Sequence, residues 1–170
     1  MAMGNTIGKS LLYGFAGNYS RQPDSVIASH VLKGDTNVNF GDPVYLNEND
    51  NNRSVIAIDS DFTADLFIGI ATAEIRSAVT VDNMDGVYRN EDMVPVMSRG
   101  VVSVICQRGI PLRGAPVYVR ISNPPANGKI GGFEADSDGS DNVMLDNCIW
   151  TSEADSNGIA EIRIRTINLI

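Results

Sequence analysis

The 170-residue chain holds 33 Val and Ile against 8 Leu, with 16 Asn, 16 Gly and 7 Pro. β-branched residues suit pleated strands and the others make turns, so an all-α fold is close to excluded and a doubly wound α/β fold is disfavoured. Thirteen basic and 21 acidic residues leave a net charge of −8, a poor match for DNA, RNA or an anionic membrane, and no run of about 18 apolar residues offers a membrane span.

Residues 1–17 differ from the rest, combining Gly4, Gly8, Gly14 and Gly17 with Leu11, Leu12, Tyr13 and Phe15. We read them as an extended N-terminal arm whose apolar side chains (Leu11, Leu12, Tyr13 and Phe15) anchor it to a partner or to the domain's own surface. The apolar stretch after Lys9 is short, contains glycine and lacks an Ala-x-Ala site, which argues against a signal peptide. Gly4-Asn5-Thr6-Ile7-Gly8-Lys9-Ser10 imitates a phosphate-binding loop. It has one residue too few between its glycines and no strand before it.

From residue 18 onward strand signals recur about every ten residues, the rhythm of a sandwich or barrel. Strands are predicted at Val26–Leu32, Pro43–Leu46, Val55–Asp59, Leu66–Ala71, Ala78–Val81 and Met93–Met97. Val101–Cys106, Pro116–Ile121, Lys129–Ala135, Val143–Trp150 and Ile159–Ile167 continue the series. In the last, Glu161, Arg163 and Arg165 alternate with Ala160, Ile162 and Ile164, which predicts a half-buried antiparallel strand with one charged face. The separators are turn-forming: Asn47–Asn52, Asp82–Gly86, Pro124–Gly128, Asp136–Asp141 and Ser156–Gly158. A short echo relates Gly41-Asp42-Pro43-Val44-Tyr45-Leu46 to Gly114-Ala115-Pro116-Val117-Tyr118-Val119. Each is followed by a glycine-containing strand, Ile68–Ala71 and Ile130–Phe133, as two similar units in a two-layer fold would give.

Residues that carry chemistry are sparse. His30 is the only histidine and lies in a strand pattern, so it reads as structural; one imidazole cannot build a zinc site. No Gly-x-Ser-x-Gly elbow marks a nucleophile. The acidic loop at Asp136, Asp138 and Asp141 has a calcium-loop composition, but its glycine comes too early and residue 147 is Asn, so a solvated turn is expected. Cys106 and Cys148 stand beside apolar residues and read as buried free thiols, with a single disulfide between them as the alternative. No catalytic residue, metal or cofactor is assigned.

Taken in order, several segments resemble the structural cement proteins of tailed bacteriophages, which decorate the major capsid shell. They are Tyr13–Arg21, Phe40–Tyr45, Phe67–Ala71, Val94–Val104, Gly114–Val119, Gly132–Ala135, Trp150 and Ser156–Ile164. The long Asn47–Asn52 loop and the acidic Asp136–Asp141 loop depart from that pattern. The resemblance implies an all-β, jelly-roll-like antiparallel sandwich over residues 18–170 with the arm at 1–17, and a role without catalysis or cofactor. It implies a homo-oligomer, dimer or trimer, that binds the major capsid protein on the outer surface of the virion and bridges neighbouring capsomers. Synthesis would be in the host bacterial cytoplasm, with no nucleic-acid or membrane partner. Two other classes are weighed. A receptor- or carbohydrate-binding β-sandwich predicts clustered aromatics on one face, and the chain has one Trp and 6% aromatics. A small hydrolase predicts a pocket of convergent His, Asp or Glu.

Overall fold

The computed structural model describes residues 13–73 and 86–168. Among them are eleven strands: β1 Tyr19–Leu32, β2 Val38–Asn39, β3 Pro43–Leu46, β4 Ser54–Ala57, β5 Phe67–Ala71, β6 Val87–Tyr88, β7 Met93–Arg108, β8 Pro116–Arg120, β9 Phe133–Glu134, β10 Asn142–Trp150 and β11 Ile159–Ile164. β2 and β6 pair alone; the other nine form one sheet. The protein is the expected all-β sandwich, and its pairings are antiparallel apart from β1–β4 and β7–β9.

β7 organises the molecule. Its first half, around Val96 and Met97, lies between β1 and β5; its second half pairs with β11 through Gly100–Ile105 and with β9 at Cys106 and Arg108. The order β7–β1–β4–β3–β5 returns to β7, and so does β7–β11–β10–β8–β9. Two five-membered rings therefore share one strand, and closure pairs edges that an open sheet would leave bare.

Each ring has its own core. Leu32, Val44, Leu46, Val55, Ala71, Val94 and Val96 supply every strand of the first ring, joined by Val38 and Tyr88 of the small sheet. Val102, Val104, Val117, Val119, Phe133, Leu145, Trp150, Ala160 and Ile162 do so for the second. Successive strand residues point to opposite faces, so Tyr45, between Val44 and Leu46, joins the second core and ties the rings together. Each fully buried large side chain contributes roughly 1.5–3 kcal/mol before ordering costs.

The echo between the segments at Gly41 and Gly114 marks matching places. β3 stands in the first ring where β8 stands in the second, and the glycine-containing segments after them supply β5 and β9, each bonded to β7. The likeness stops at direction, because β5 runs antiparallel to β7 and β9 parallel.

Several boundaries differ from expectation for physical reasons. β1 begins at Tyr19 rather than Val26, because β7 pairs with it through bulges between Tyr19 and Ile27 that tolerate the polar stretch. The predicted strands Met93–Met97 and Val101–Cys106 are one strand; Gly100, which reads as a break, pairs with Ile164. Only Phe133–Glu134 of Lys129–Ala135 is strand, since the backbone of Lys129 bonds Gln107 and that of Gly131 bonds Arg120. β11 stops at Ile164, and Glu161 is buried rather than on a charged outer face, because β11 lies between β7 and β10 and Arg21 covers the carboxylate at 3.1 Å. Ala78–Val81 lies outside the described residues. Both thiols are free; Cys148 is buried and Cys106 half-buried.

Candidate docking surface

Residues from both rings meet at a cleft of about 340 Å³ beside the second half of β7. Ile105 and Gln107 come from β7, Phe40 and Asp42 from the turn before β3, and Lys129, Gly131 and Gly132 from the loop that enters β9. Ala16 of the N-terminal segment completes the wall.

Gln107 fixes the loop. Its side-chain amide donates to the Lys129 carbonyl at 3.1 Å and to Glu134 Oε1 at 3.0 Å, and its Oε1 accepts from the Lys129 N–H at 2.9 Å. The loop passes so close that a Cβ on Gly132 would lie 1.9 Å from Gln107 Oε1, so any larger residue there would push the Gln107 amide off its bonds to the loop. Lys129 Nζ then reaches Asp42, 2.6 Å from both carboxylate oxygens, joining the loop of the second ring to the turn of the first. Asp42 also accepts from the backbone and side chain of Asn39 at 2.9 and 3.0 Å.

A buried ion network supports the loop from below. Arg120 of β8 makes a two-pronged contact with Glu134 of β9 at 2.8 and 2.9 Å, both side chains being out of solvent. Asp138 accepts from Arg120 at 2.8 Å and lies 3.1 Å from Arg108; Asn142 donates to Glu134 at 2.7 Å. Burial alone would lower the pKa of Arg120, but its hydrogen bonds to Glu134 and Asp138 outweigh that and raise it. The loop expected as a solvated turn thus lends Asp138 and Asp141 to this network, Asp141 standing 3.9 Å from Arg120.

Exposed apolar residues lie in or next in the chain to the lining. Ile105 lines the cleft, and Phe15 and Ile130 adjoin its lining residues Ala16 and Lys129. Phe15, Ile105 and Ile130 are 58, 54 and 43% exposed. Ordered backbone carries each of them, so little chain entropy remains to be lost when a partner covers them.

Of the predicted anchors, Leu11 and Leu12 lie outside the described residues. Tyr13 is half-buried: its N–H donates to Asp155 at 3.1 Å and its carbonyl accepts from Ser103 Oγ at 3.3 Å. Gly17 bonds the Ser103 carbonyl and the Ala73 N–H at 2.8 and 2.9 Å, so the segment beside Phe15 is stitched to the domain. Sequence reasoning missed Ile105 and Ile130. Both carry a signal: Ile105 shares the outward phase of Gln107 on β7, and Ile130 is an apolar residue among loop glycines. His30, on β1, pairs with Val94 of β7 and lines no part of the cleft. Cys106 lies under the surface, where burial pushes its thiol up to about 11 and leaves it protonated at neutral pH.

Among the described residues no helix is long and apolar enough to cross a membrane. The fold is that of a phage capsid component: a chain from "The capsid of Myoviridae Phage XM1" superposes with a TM-score of 0.71 at 17% identity, covering 98% of this chain and 99% of that one. No curated protein matches the sequence. The family model described as "Structural cement protein (E217 gp24/Pam3 gp6)" matches residues 3–165, and the chain belongs to that family of structural phage proteins.

Proposed function

We propose that the protein binds the outer surface of the assembled major capsid shell as a homo-oligomer and stabilises it by bridging neighbouring capsomers. The cleft lined by Phe40, Ile105 and Lys129, with the exposed Phe15 and Ile130 next in the chain to its lining residues, is the capsid-facing contact, and the N-terminal arm adds Leu11, Leu12 and Tyr13. The observation that carries this reading is the conjunction of three exposed apolar side chains with a cleft held by Gln107 and the Lys129–Asp42 pair. Family membership over residues 3–165 supports the capsid as the partner.

The mechanism is mass action. A protein that binds the assembled shell and not its dissociated parts lowers the free energy of the shell by its own binding free energy. Covering each large apolar side chain contributes roughly 1.5–3 kcal/mol, so modest contacts repeated over a shell suffice, and the reading needs no catalytic step. The carbohydrate-binding alternative gains nothing from the structure, because among the described residues Phe15 is the one exposed aromatic, and Trp150 is fully buried.

Mixing the purified protein with undecorated shells tests the proposal. Saturable binding and a higher temperature of shell disruption are expected. Absence of binding at tens of micromolar protein, roughly −6 to −7 kcal/mol on the affinity scale, would overturn it.

A further inference from the structure

Among the described residues, β1 leaves a backbone edge without a partner strand. Val26 to Val31 pair with β7 on one side, whereas on the other β4 reaches only Val31 and Leu32. Among the described residues no strand lies against the second edge of Ser25–His30. Its sequence, Ser25-Val26-Ile27-Ala28-Ser29-His30, has no lysine, no acid and no proline, and Val26 is 42% exposed. Soluble proteins commonly blunt such edges with lysine, proline or a bulge; here one bulge lies between Val26 and Ile27, and Ile27–His30 beyond it runs in regular register with β7. Among the described residues no strand takes up the remaining N–H and C=O groups of this edge, which lie in an uncharged setting with Val26 and Ile27, a template for another strand.

The charges at its two ends indicate which strand. At the Ser25 end, Asp24 is held by Arg99 at 2.7 Å and Arg163 at 2.8 Å, leaving an excess of positive charge. At the Leu32 end, where β4 begins, Asp35, Asp50, Glu91 and Asp92 outnumber Lys33, Arg53 and Arg89. A second copy laid antiparallel brings the basic end of each chain to the acidic end of the other, twice over. A two-fold axis generates that arrangement and closes it at two chains. We infer that two copies of this chain pair antiparallel through the Ser25–His30 edges of β1, forming a dimer with a continuous sheet across the axis.

The inference rests on the homo-oligomer reading above and places its interface away from the Phe40–Ile105–Lys129 cleft. The test is sedimentation equilibrium of the full-length protein beside Val26→Lys/Ser29→Lys and Val26→Glu/Ser29→Glu double variants. Both positions are exposed, so the variants keep the fold, checked by circular dichroism; Ser29→Lys alone serves if a double variant does not fold. A dimeric native protein, monomeric variants and a dimer restored by mixing the two variants are expected. A monomeric native protein, or variants as dimeric as the native chain, would overturn the inference. Shell occupancy, measured separately, keeps the two proposals apart: a native monomer that still decorates shells defeats the dimer and leaves the capsid reading standing.

Discussion

Arg120 and Glu134 form a fully buried, two-pronged ion pair that joins β8 to β9 beneath the docking loop. Two charges removed from water persist only when nearly every donor and acceptor is used, and here Gln107, Asn142 and Asp138 complete the set. Removing one partner strands the other. Arg120→Met should therefore cost about 3–5 kcal/mol in urea unfolding, while Arg120→Met with Glu134→Met should recover much of that loss. A single variant as stable as the native protein would show that water already reaches the pair.

β5 approaches β7 so closely at Gly69 that an added Cβ would stand 2.2 Å from the Met97 carbonyl oxygen. That neighbour is backbone and cannot step aside. Gly69→Ala should destabilise by about 1–3 kcal/mol or more through forced separation of the two strands, read as a lower thermal midpoint. An unchanged midpoint would mean that the ring opens freely at this seam.

Acid should weaken the fold in two stages. Burial holds the pKa of His30 below its ordinary 6.5, so the unfolded chain takes up that proton first and stability falls as pH drops below 6.5. Burial also pushes Asp155 upward, but the backbone N–H groups of Tyr13, Ile159 and Asn157 outweigh it and hold its carboxyl below 3.8. The Asp155 contribution is full above 3.8 and is lost as pH falls through the lower folded value. Unfolding midpoints across pH should show the upper stage vanish in His30→Ala and the lower one shrink in Asp155→Asn. His30→Ala should still bind shells.

Much of the architecture is legible in the order of residues alone. Pro43–Leu46 is a strand at the bounds its residues predict, and the echo between residues 41 and 114 marks matching members of two rings. What is not legible depends on partners distant in sequence. Glu161 looks like a solvent-facing residue until Arg21, far away in the chain, lies over it. β2 and β6 have two residues each, too few for any period. The docking surface is half legible. An arm with Phe15 is visible as composition, but the loop before β9 comes beside Ile105 only when Lys129 bonds Gln107.

Ordering an arm costs roughly 1–2 kcal/mol per residue, so only several anchored side chains make it favourable. Deleting residues 1–12 should leave a folded β domain, because Tyr13 to Gly17 make their own bonds to Asp155 and Ser103. Binding of the truncated chain to undecorated shells should be weaker across a titration. Equal occupancy would remove the arm from the attachment surface.

A reconstruction of decorated particles at a resolution that traces the backbone tests the central claim most directly. Capsid chain should fill the cleft between Phe40, Ile105 and Lys129, with Phe15 and Ile130 covered. A cleft open to solvent in every bound copy, with the capsid touching another face, would contradict the account.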